Sequence, residues 1–353
     1  MSDFWILDEA IPQERARWLR YWNSWPTHEV FAHPDYVSLF MGPDDRAMSA
    51  VLDTPRGQVI FPFVLRSLKF LDWFTGGENV YDLIGPYGYG GAYAIGNPDP
   101  NLFWTKFGEW AGQNNIVSVF TRLSVFPDQL IPFNGEVEIK SQNIVRELSL
   151  EPDAMWMNYE HKVRKNVKRA QQNGLNVEVD PAGEKLVEFM TIYYATMERN
   201  NAADYYYFDE EFFRRIIDRL AGQFVFFHVW HEDRIISSEL VLLSTDYIYS
   251  FLGGTLREAY SLRPNDLLKH TIIEWGRGQG KRAFVLGGGY EEDDGIFRYK
   301  KSFAPDGIVP FKVGRWIVNS ELYVGLIEQR RRWEFVHGRA WHPSSGFFPA
   351  YRS

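Results

Sequence analysis

Residues 224–252 read FVFFHVWHEDRIISSELVLLSTDYIYSFL, and this stretch decides the fold. Three runs dense in β-branched and aromatic residues, Phe224 to Trp230, Ile235 to Leu243 and Ile248 to Leu252, are separated by His231-Glu232-Asp233-Arg234 and Ser244-Thr245-Asp246. Runs of that length with short polar breaks predict three successive antiparallel strands. Moving outward, Pro264 stands where its fixed φ and missing N–H suit a first helical turn, and the pattern carries a helix to about Gly278. Arg282 to Leu286 then reads as a short strand ending in three glycines. On the other side, Asp209 to Leu220 predicts a helix with Asp209 as its N-cap. Leu186, Phe189, Met190, Tyr193 and Met197 form a helical stripe, Leu175 to Val179 alternates like a strand, and Met155 to Asn173 reads as one helix closed by Gly174.

The order strand, two helices, three antiparallel strands, helix, strand is that of an acetyltransferase (GNAT) fold. The first half echoes it in architecture. It has a helix from Ala16 to Trp25, a second opened by Pro34, and β-like runs Met48 to Thr54 and Gln58 to Leu65 around a TPRG turn. A helix at Asp99 to Gln113 and a strand at Ile116 to Leu123 complete it. The expected fold class is therefore α/β (α+β), with two tandem GNAT-like domains built on mixed, largely antiparallel central sheets. The expected boundaries are 1–145 for an acceptor-binding domain, 146–338 for a donor-binding catalytic domain, and 339–353 for a tail that straps or frays. The join lies near Phe133 to Pro152.

The 353 residues suit two domains, and 45% hydrophobic with 24% charged residues is a globular composition. There is no cysteine, which removes thiolate nucleophiles and Cys-type zinc sites, and the eight histidines do not cluster at ligand spacing. A metal site is not expected. The start, MSDFWILDEAI, has no basic region before an apolar one, and no stretch approaches the roughly 20 apolar residues that span a bilayer. A cytoplasmic protein without stable membrane insertion is the expectation. The net charge of −8 argues against a DNA binder and leaves any anionic partner to a local basic cluster.

Three stretches together resemble the FemABX-like peptidyltransferase family, GNAT-related enzymes that add amino acids to peptidoglycan precursors, in its compact, arm-less type. They are Pro86-Tyr87-Gly88-Tyr89-Gly90-Gly91; Tyr249-Ser250-Phe251-Leu252-Gly253-Gly254 followed by Leu262-Arg263-Pro264-Asn265-Asp266-Leu267-Leu268 and Glu274-Trp275-Gly276; and Leu286-Gly287-Gly288-Gly289 with Tyr299-Lys300-Lys301-Ser302-Phe303. Gly276 stands where the family usually has Ala, and Tyr299 replaces Phe. In this alignment of motifs Gly253-Gly254 reads as a turn.

The resemblance places Lys300 in a substrate channel, where its cation stabilises charge at the reacting carbonyl or holds a phosphate; without it, Lys300 beside Lys301 is a surface lysine. Acyl transfer to an amine passes through an oxyanion, so a preorganised cation there lowers the barrier. Tyr249 reads as a second catalytic candidate that orients the acyl carbonyl or leaving group, or as core. Asn265 opens the helix at which acetyltransferases hold a donor's pyrophosphate, or simply caps it. Tyr87 and Tyr89 would flank a sugar or base, or fill a packed loop. Arg164 and Lys168, four apart in the basic run His161 to Arg169, would grip phosphates of tRNA or a nucleotide sugar, or form a solvated face. Lys301 joins the substrate-binding candidates. Glu239, Glu291, Glu292, Asp293 and Asp294 leave the general base unassigned.

The leading expectation is transfer of an acyl or aminoacyl group to an amine of a cell-envelope precursor, peptidoglycan-type or nucleotide-linked. No cofactor is tightly bound; the resemblance implies aminoacyl-tRNA as donor and a UDP-linked muropeptide as acceptor. An acyl-CoA-dependent N-acetyltransferase acting on a sugar or natural-product amine is the alternative, and a non-catalytic ligand-binding module of the same fold a further one. Acceptor, transferred group and oligomeric state are left open.

Overall fold

Pro12, Pro34, Pro100, Pro152 and Pro264 each stand at the start of a helix, where a residue without an N–H costs nothing. A computed structural model of the chain describes every residue except Met1, Gly77, Glu78 and Glu292. The elements in chain order are β1 (Asp3–Asp8), α1 (Pro12–Ser24), α2 (Pro34–Ser38), β2 (Arg46–Thr54), β3 (Gly57–Ser67), β4 (Tyr81–Ile84), β5 (Tyr93–Gly96), α3 (Pro100–Gln113) and β6 (Ile116–Arg122). They continue with β7 (Glu136–Glu147), α4 (Pro152–Asn158), α5 (His161–Gln172), β8 (Asn176–Asp180), α6 (Leu186–Arg199), α7 (Glu210–Arg219), β9 (Phe224–His231), β10 (Arg234–Leu243) and β11 (Tyr247–Thr255). The last are α8 (Pro264–Gly278), β12 (Ala283–Gly287), α9 (Gly295–Lys301), β13 (Ile308–Ile317) and α10 (Ser320–Val336).

The chain folds into two units: Met1–Pro26, Phe31–Lys140 and Phe311–Ser353 form the first, Thr27–Val30 and Ser141–Pro310 the second. This division differs from the expected 1–145, 146–338 and separate tail. Val313 to Ile317 of β13 pair antiparallel with β6, and the Tyr351 hydroxyl lies 3.1 Å from Asp82 and 3.0 Å from Ser118. Tyr351 is fully buried, so the tail belongs to the core of the first unit.

The first unit's sheet runs β1-β2-β3-β4-β6-β13, antiparallel except for the parallel β4–β6 pair, with β5 also paired to β3. Phe103, Trp104 and Phe107 of α3 cover Phe61 and Phe63 on one face, and Trp18 and Trp22 of α1 pack with Val51, Ile60 and Val64 on the other. Strand alternation produces this two-sided burial, since successive side chains point to opposite faces.

The second unit's sheet runs β7-β12-β11-β10-β9-β8, antiparallel except for β11–β12. Leu267, Leu268, Ile272 and Ile273 of α8 and Val163 and Val167 of α5 build its main core with Phe227, Val241, Ile248 and Phe284. The expected order of strand, two helices, three antiparallel strands, helix and strand is present from β8 to β12.

Three local expectations are corrected. The single helix from Met155 to Asn173 is two, α4 and α5, broken where Tyr159 is extended and the Glu160 N–H donates to the Ser302 carbonyl at 2.9 Å. The join is itself ordered as β7. Gly253-Gly254 is not a turn but the continuation of β11. A Cβ on Gly254 would lie 2.2 Å from Thr196 Oγ1, so glycine there lets α6 press against the strand.

Candidate active site

β11 and β12 are paired only from Tyr247 to Tyr249 and from Ala283 to Val285. Beyond that they part, β11 continuing to Thr255 and β12 ending at Gly287. At the opening of this fork lies a cluster of buried charge. Glu239 and Ser250 are on neighbouring strands and share the face that α8 covers; the Ser250 hydroxyl donates to Glu239 Oε1 at 2.6 Å. Lys269 reaches the same spot from α8. Its ammonium donates to Glu239 Oε1 at 2.5 Å and to Ser250 Oγ at 2.9 Å, with both charged side chains 6% exposed.

Lys300 approaches from α9. Asp294 caps that helix by accepting from the Phe297 N–H at 2.7 Å, and the last turn carries Lys300 back to the end of β12. There its ammonium donates to the Gly288 carbonyl at 2.7 Å. The glycines have separate reasons. Gly287 has φ +80°, and a Cβ on Gly288 would sit 2.6 Å from the Gln142 carbonyl. Burial first, and then the neighbouring Lys269 charge, push the Lys300 ammonium down to about 8, against the pull of Glu239 and Asp294. The Tyr299 hydroxyl is buried with no hydrogen-bond partner among the described residues, and burial followed by Asp266 and Glu239 holds its pKa well above the usual phenol range. Asp266, in the first turn of α8, is raised by burial and accepts from the Asn166 side chain at 3.2 Å.

The arrangement offers a cation whose proton is loosely held, a buried ion pair fixing its electrostatic surroundings, and a phenol with unspent hydrogen-bonding capacity. Lys300 is brought together with Glu239 and Lys269, a set that the sequence did not single out. Of the proposed bases, Glu239 is committed to Lys269, Asp294 to helix capping, and Asp293 pairs with Arg298 at 3.6 Å. Glu291 is exposed, and Glu292 lies outside the described residues.

Tyr249 precedes Ser250 and so faces the other side of the sheet. It is buried and donates to Glu29 Oε2 at 2.8 Å, which Ser244 also reaches at 2.5 Å. Arg164 donates to the carbonyls of Met157 at 2.9 Å and of Tyr159, closing the end of α4. Lys168 is exposed on α5, while Asn265 and Lys301 are half-buried. Tyr87 and Tyr89 belong to the first unit. The Tyr87 carbonyl accepts from Tyr36 at 2.9 Å and its ring stacks on Phe40 at 5.5 Å; Tyr89 meets Phe31 and Phe311 edge-on. Lys269 was the residue missed. Its signal is a lysine in the apolar run of α8, just as Glu239 interrupts the apolar run of β10.

Residues 157–301, most of the second unit, match the family model of the acetyltransferase (GNAT) domain. They are a GNAT acyltransferase domain. Lys300, Glu239 and Lys269 all lie inside it. Among solved structures, FemX is 14% identical and aligns with 88% of this chain and 97% of its own, at a TM-score of 0.66. The C-terminal domain of a protein named as a lysylphosphatidylglycerol synthetase, from Agrobacterium fabrum, is 14% identical over 87% of this chain and 93% of its own, at 0.55. A conserved protein of unknown function from Bacteroides thetaiotaomicron is 10% identical over 88% and 99%, at 0.56. At these identities the likeness is one of fold, and it extends from the GNAT domain over both units. The fold class expected from sequence, with GNAT-like architecture on mixed, largely antiparallel sheets, is the observed one. No curated protein sequence matches the chain. Among the described residues no three His, Asp or Glu side chains converge as metal ligands would, and no helix is long and apolar enough to cross a membrane.

Proposed function

We propose that this GNAT acyltransferase moves an acyl or aminoacyl group onto an amine of a cell-envelope precursor, peptidoglycan-type or nucleotide-linked, in the cytoplasm. The observation that carries the reading is the Lys300 ammonium, held 2.7 Å from the Gly288 carbonyl at the fork of β11 and β12, beside the buried Lys269–Glu239 pair. The acceptor nitrogen attacks the donor carbonyl, and the resulting oxyanion is stabilised by Lys300. The C–O bond of an aminoacyl ester then breaks, the leaving oxygen takes up a proton, and the attacking nitrogen gives one up. The buried Tyr299 hydroxyl, without a hydrogen-bond partner among the described residues, is the second group we assign to that oxygen or to the leaving group.

Aminoacyl-tRNA is the donor we favour. Asp266 in the first turn of α8 puts a carboxylate where a donor pyrophosphate would seek backbone amides, which speaks against that anchor for coenzyme A. Lys168, exposed on the basic helix α5, has no ion-pair or hydrogen-bond partner among the described residues and supports a polyanionic partner. The competing reading, an acyl-CoA-dependent N-acetyltransferase, is favoured by the acetyltransferase character of the matched family model.

A thermal-shift titration with coenzyme A, acetyl-coenzyme A, a UDP-linked muropeptide and UDP-sugars separates them. A ligand at about 100 times its dissociation constant stabilises the native state by about 2.7 kcal/mol, a readable shift. Stabilisation by the UDP-linked ligands alone, with transfer from charged tRNA abolished in Lys300→Ala, supports the proposal. Stabilisation by coenzyme A would overturn the tRNA donor.

A further inference from the structure

The first unit contains a cavity of about 560 Å³ between the end of β3, the segment after it, α10 and the tail. That is the size of a small-molecule site. Its walls carry four arginines, although the protein as a whole has a net charge of −8. We infer that this cavity is a second ligand site, built for a phosphate monoester attached to a flat ring.

The arginines are fixed in pairs by two buried carboxylates. Asp82 accepts from Arg66 Nε at 2.7 Å and from Arg352 Nε at 2.5 Å. Glu334 accepts from Arg339 Nε at 2.5 Å and lies 3.6 Å from Arg330 Nε. Asp82 thus engages both of its arginines, and Glu334 engages Arg339, through Nε, which leaves their terminal nitrogens for other acceptors. Arg352 spends one of these on the Ser67 carbonyl at 3.4 Å, and Arg330 one on the Tyr351 carbonyl at 2.8 Å. The terminal nitrogens of Arg66 and Arg339 have no acceptor among the described residues. Four guanidiniums held in place against two buried acids, with Asp72 exposed at the rim, leave a preorganised positive site. Guanidinium forks of this kind match the oxygens of a phosphate in pairs.

The ring comes from the other half of the lining. The Arg330 guanidinium lies 5.9 Å from the centre of the Trp73 ring and that of Arg339 4.8 Å from the centre of the Trp333 ring, so cation and aromatic surfaces alternate. Phe70 at the opening is 55% exposed, an apolar face that a bound ring would cover. None of these residues is among those around Lys300.

The test is titration calorimetry on the full chain at low salt with adenosine 5′-monophosphate, phenyl phosphate, inorganic phosphate and adenosine. Wild type is compared with Arg339→Gln and Trp333→Leu, each first shown by its melting curve to be folded; the Arg339 side chain is more than half exposed. Both ring phosphates should bind, with phosphate and adenosine each at least about tenfold weaker, and each variant should weaken the ring phosphates about tenfold, the scale of one charge-assisted contact. No binding of either ring phosphate at millimolar concentration overturns the site. So does inorganic phosphate or adenosine binding as tightly as the nucleotide, or wild-type affinity in both variants.

Discussion

Lys269 Nζ lies 2.5 Å from Glu239 Oε1, a cation and an anion each 94% withdrawn from solvent and facing one another from a helix and a strand. Such a pair is weak evidence of stability, because desolvating both charges offsets most of their attraction. Its removal is asymmetric, however. Glu239→Gln should cost about 3–5 kcal/mol by leaving a buried ammonium uncompensated, while Lys269→Met with Glu239→Leu together should cost far less. Urea unfolding of the two variants beside wild type checks this, and a loss under about 1 kcal/mol for Glu239→Gln would show that the pair is not sealed from water as described.

After burial, the same pair acts on the charge of Lys300, Lys269 repelling it and Glu239 attracting it. With its ammonium titrating at about 8, Lys300 is charged at neutral pH and loses its proton as the medium becomes mildly alkaline. Transfer that depends on the cation should therefore fall as pH rises through about 8. In Lys269→Met the repelling charge is gone and Glu239 attracts Lys300 unopposed, so the falling limb should move to higher pH. A rate that instead climbs through that region would recast Lys300 as a base.

Stability should carry the opposite signature. Lys300 in the unfolded chain keeps its proton to near the ordinary value of 10.5, while the folded chain releases it at about 8. Between those values the unfolded chain binds more protons, so this residue's contribution to stability rises with pH and is least favourable below about 8. Lys300→Met should melt above wild type at pH 7, with the margin shrinking towards pH 10. Melting curves across that range decide it, and a variant that melts lower at pH 7 contradicts the burial of a strained charge.

Tyr249 is tied to Glu29 on the far face of the sheet from Ser250. Tyr249→Phe should cost about 1 kcal/mol of stability, one hydrogen bond to a buried carboxylate that Ser244 still serves, with turnover changed by no more than a few-fold. Abolished transfer in a folded Tyr249→Phe protein would restore that hydroxyl to the chemistry.

Much of the second unit was legible because its signals are local. Prolines, the Asp209 cap and uninterrupted β-runs specify β9 to α8 without reference to the rest of the chain. The break between α4 and α5 was not, for neither Tyr159 nor Glu160 is a helix breaker. What parts the helices is tertiary: the Ser302 carbonyl takes the Glu160 N–H, and the Tyr159 ring packs on His270 and Phe303. Lys300 was reached through its motif. Glu239 was readable as one of several acids and Lys269 only as a polar residue in an apolar run, and nothing local says that they meet. The contacts of Arg164 were hidden for the converse reason, since a basic run looks solvated until a neighbouring helix end is seen to need a donor.

The interleaving of the chain sets the order in which the molecule can be completed on the ribosome. The second unit needs Thr27–Val30, whose Glu29 receives Ser244 and Tyr249, and those four residues have already emerged when Pro310 does. The first unit needs β13 beside β6 and Arg352 on Asp82, so its sheet keeps an unpaired edge until β13, which follows the whole of the second unit's sheet in the chain, has been made. The half translated first is the half finished last, and during synthesis β6 is the exposed edge that a nascent-chain chaperone would have to shield.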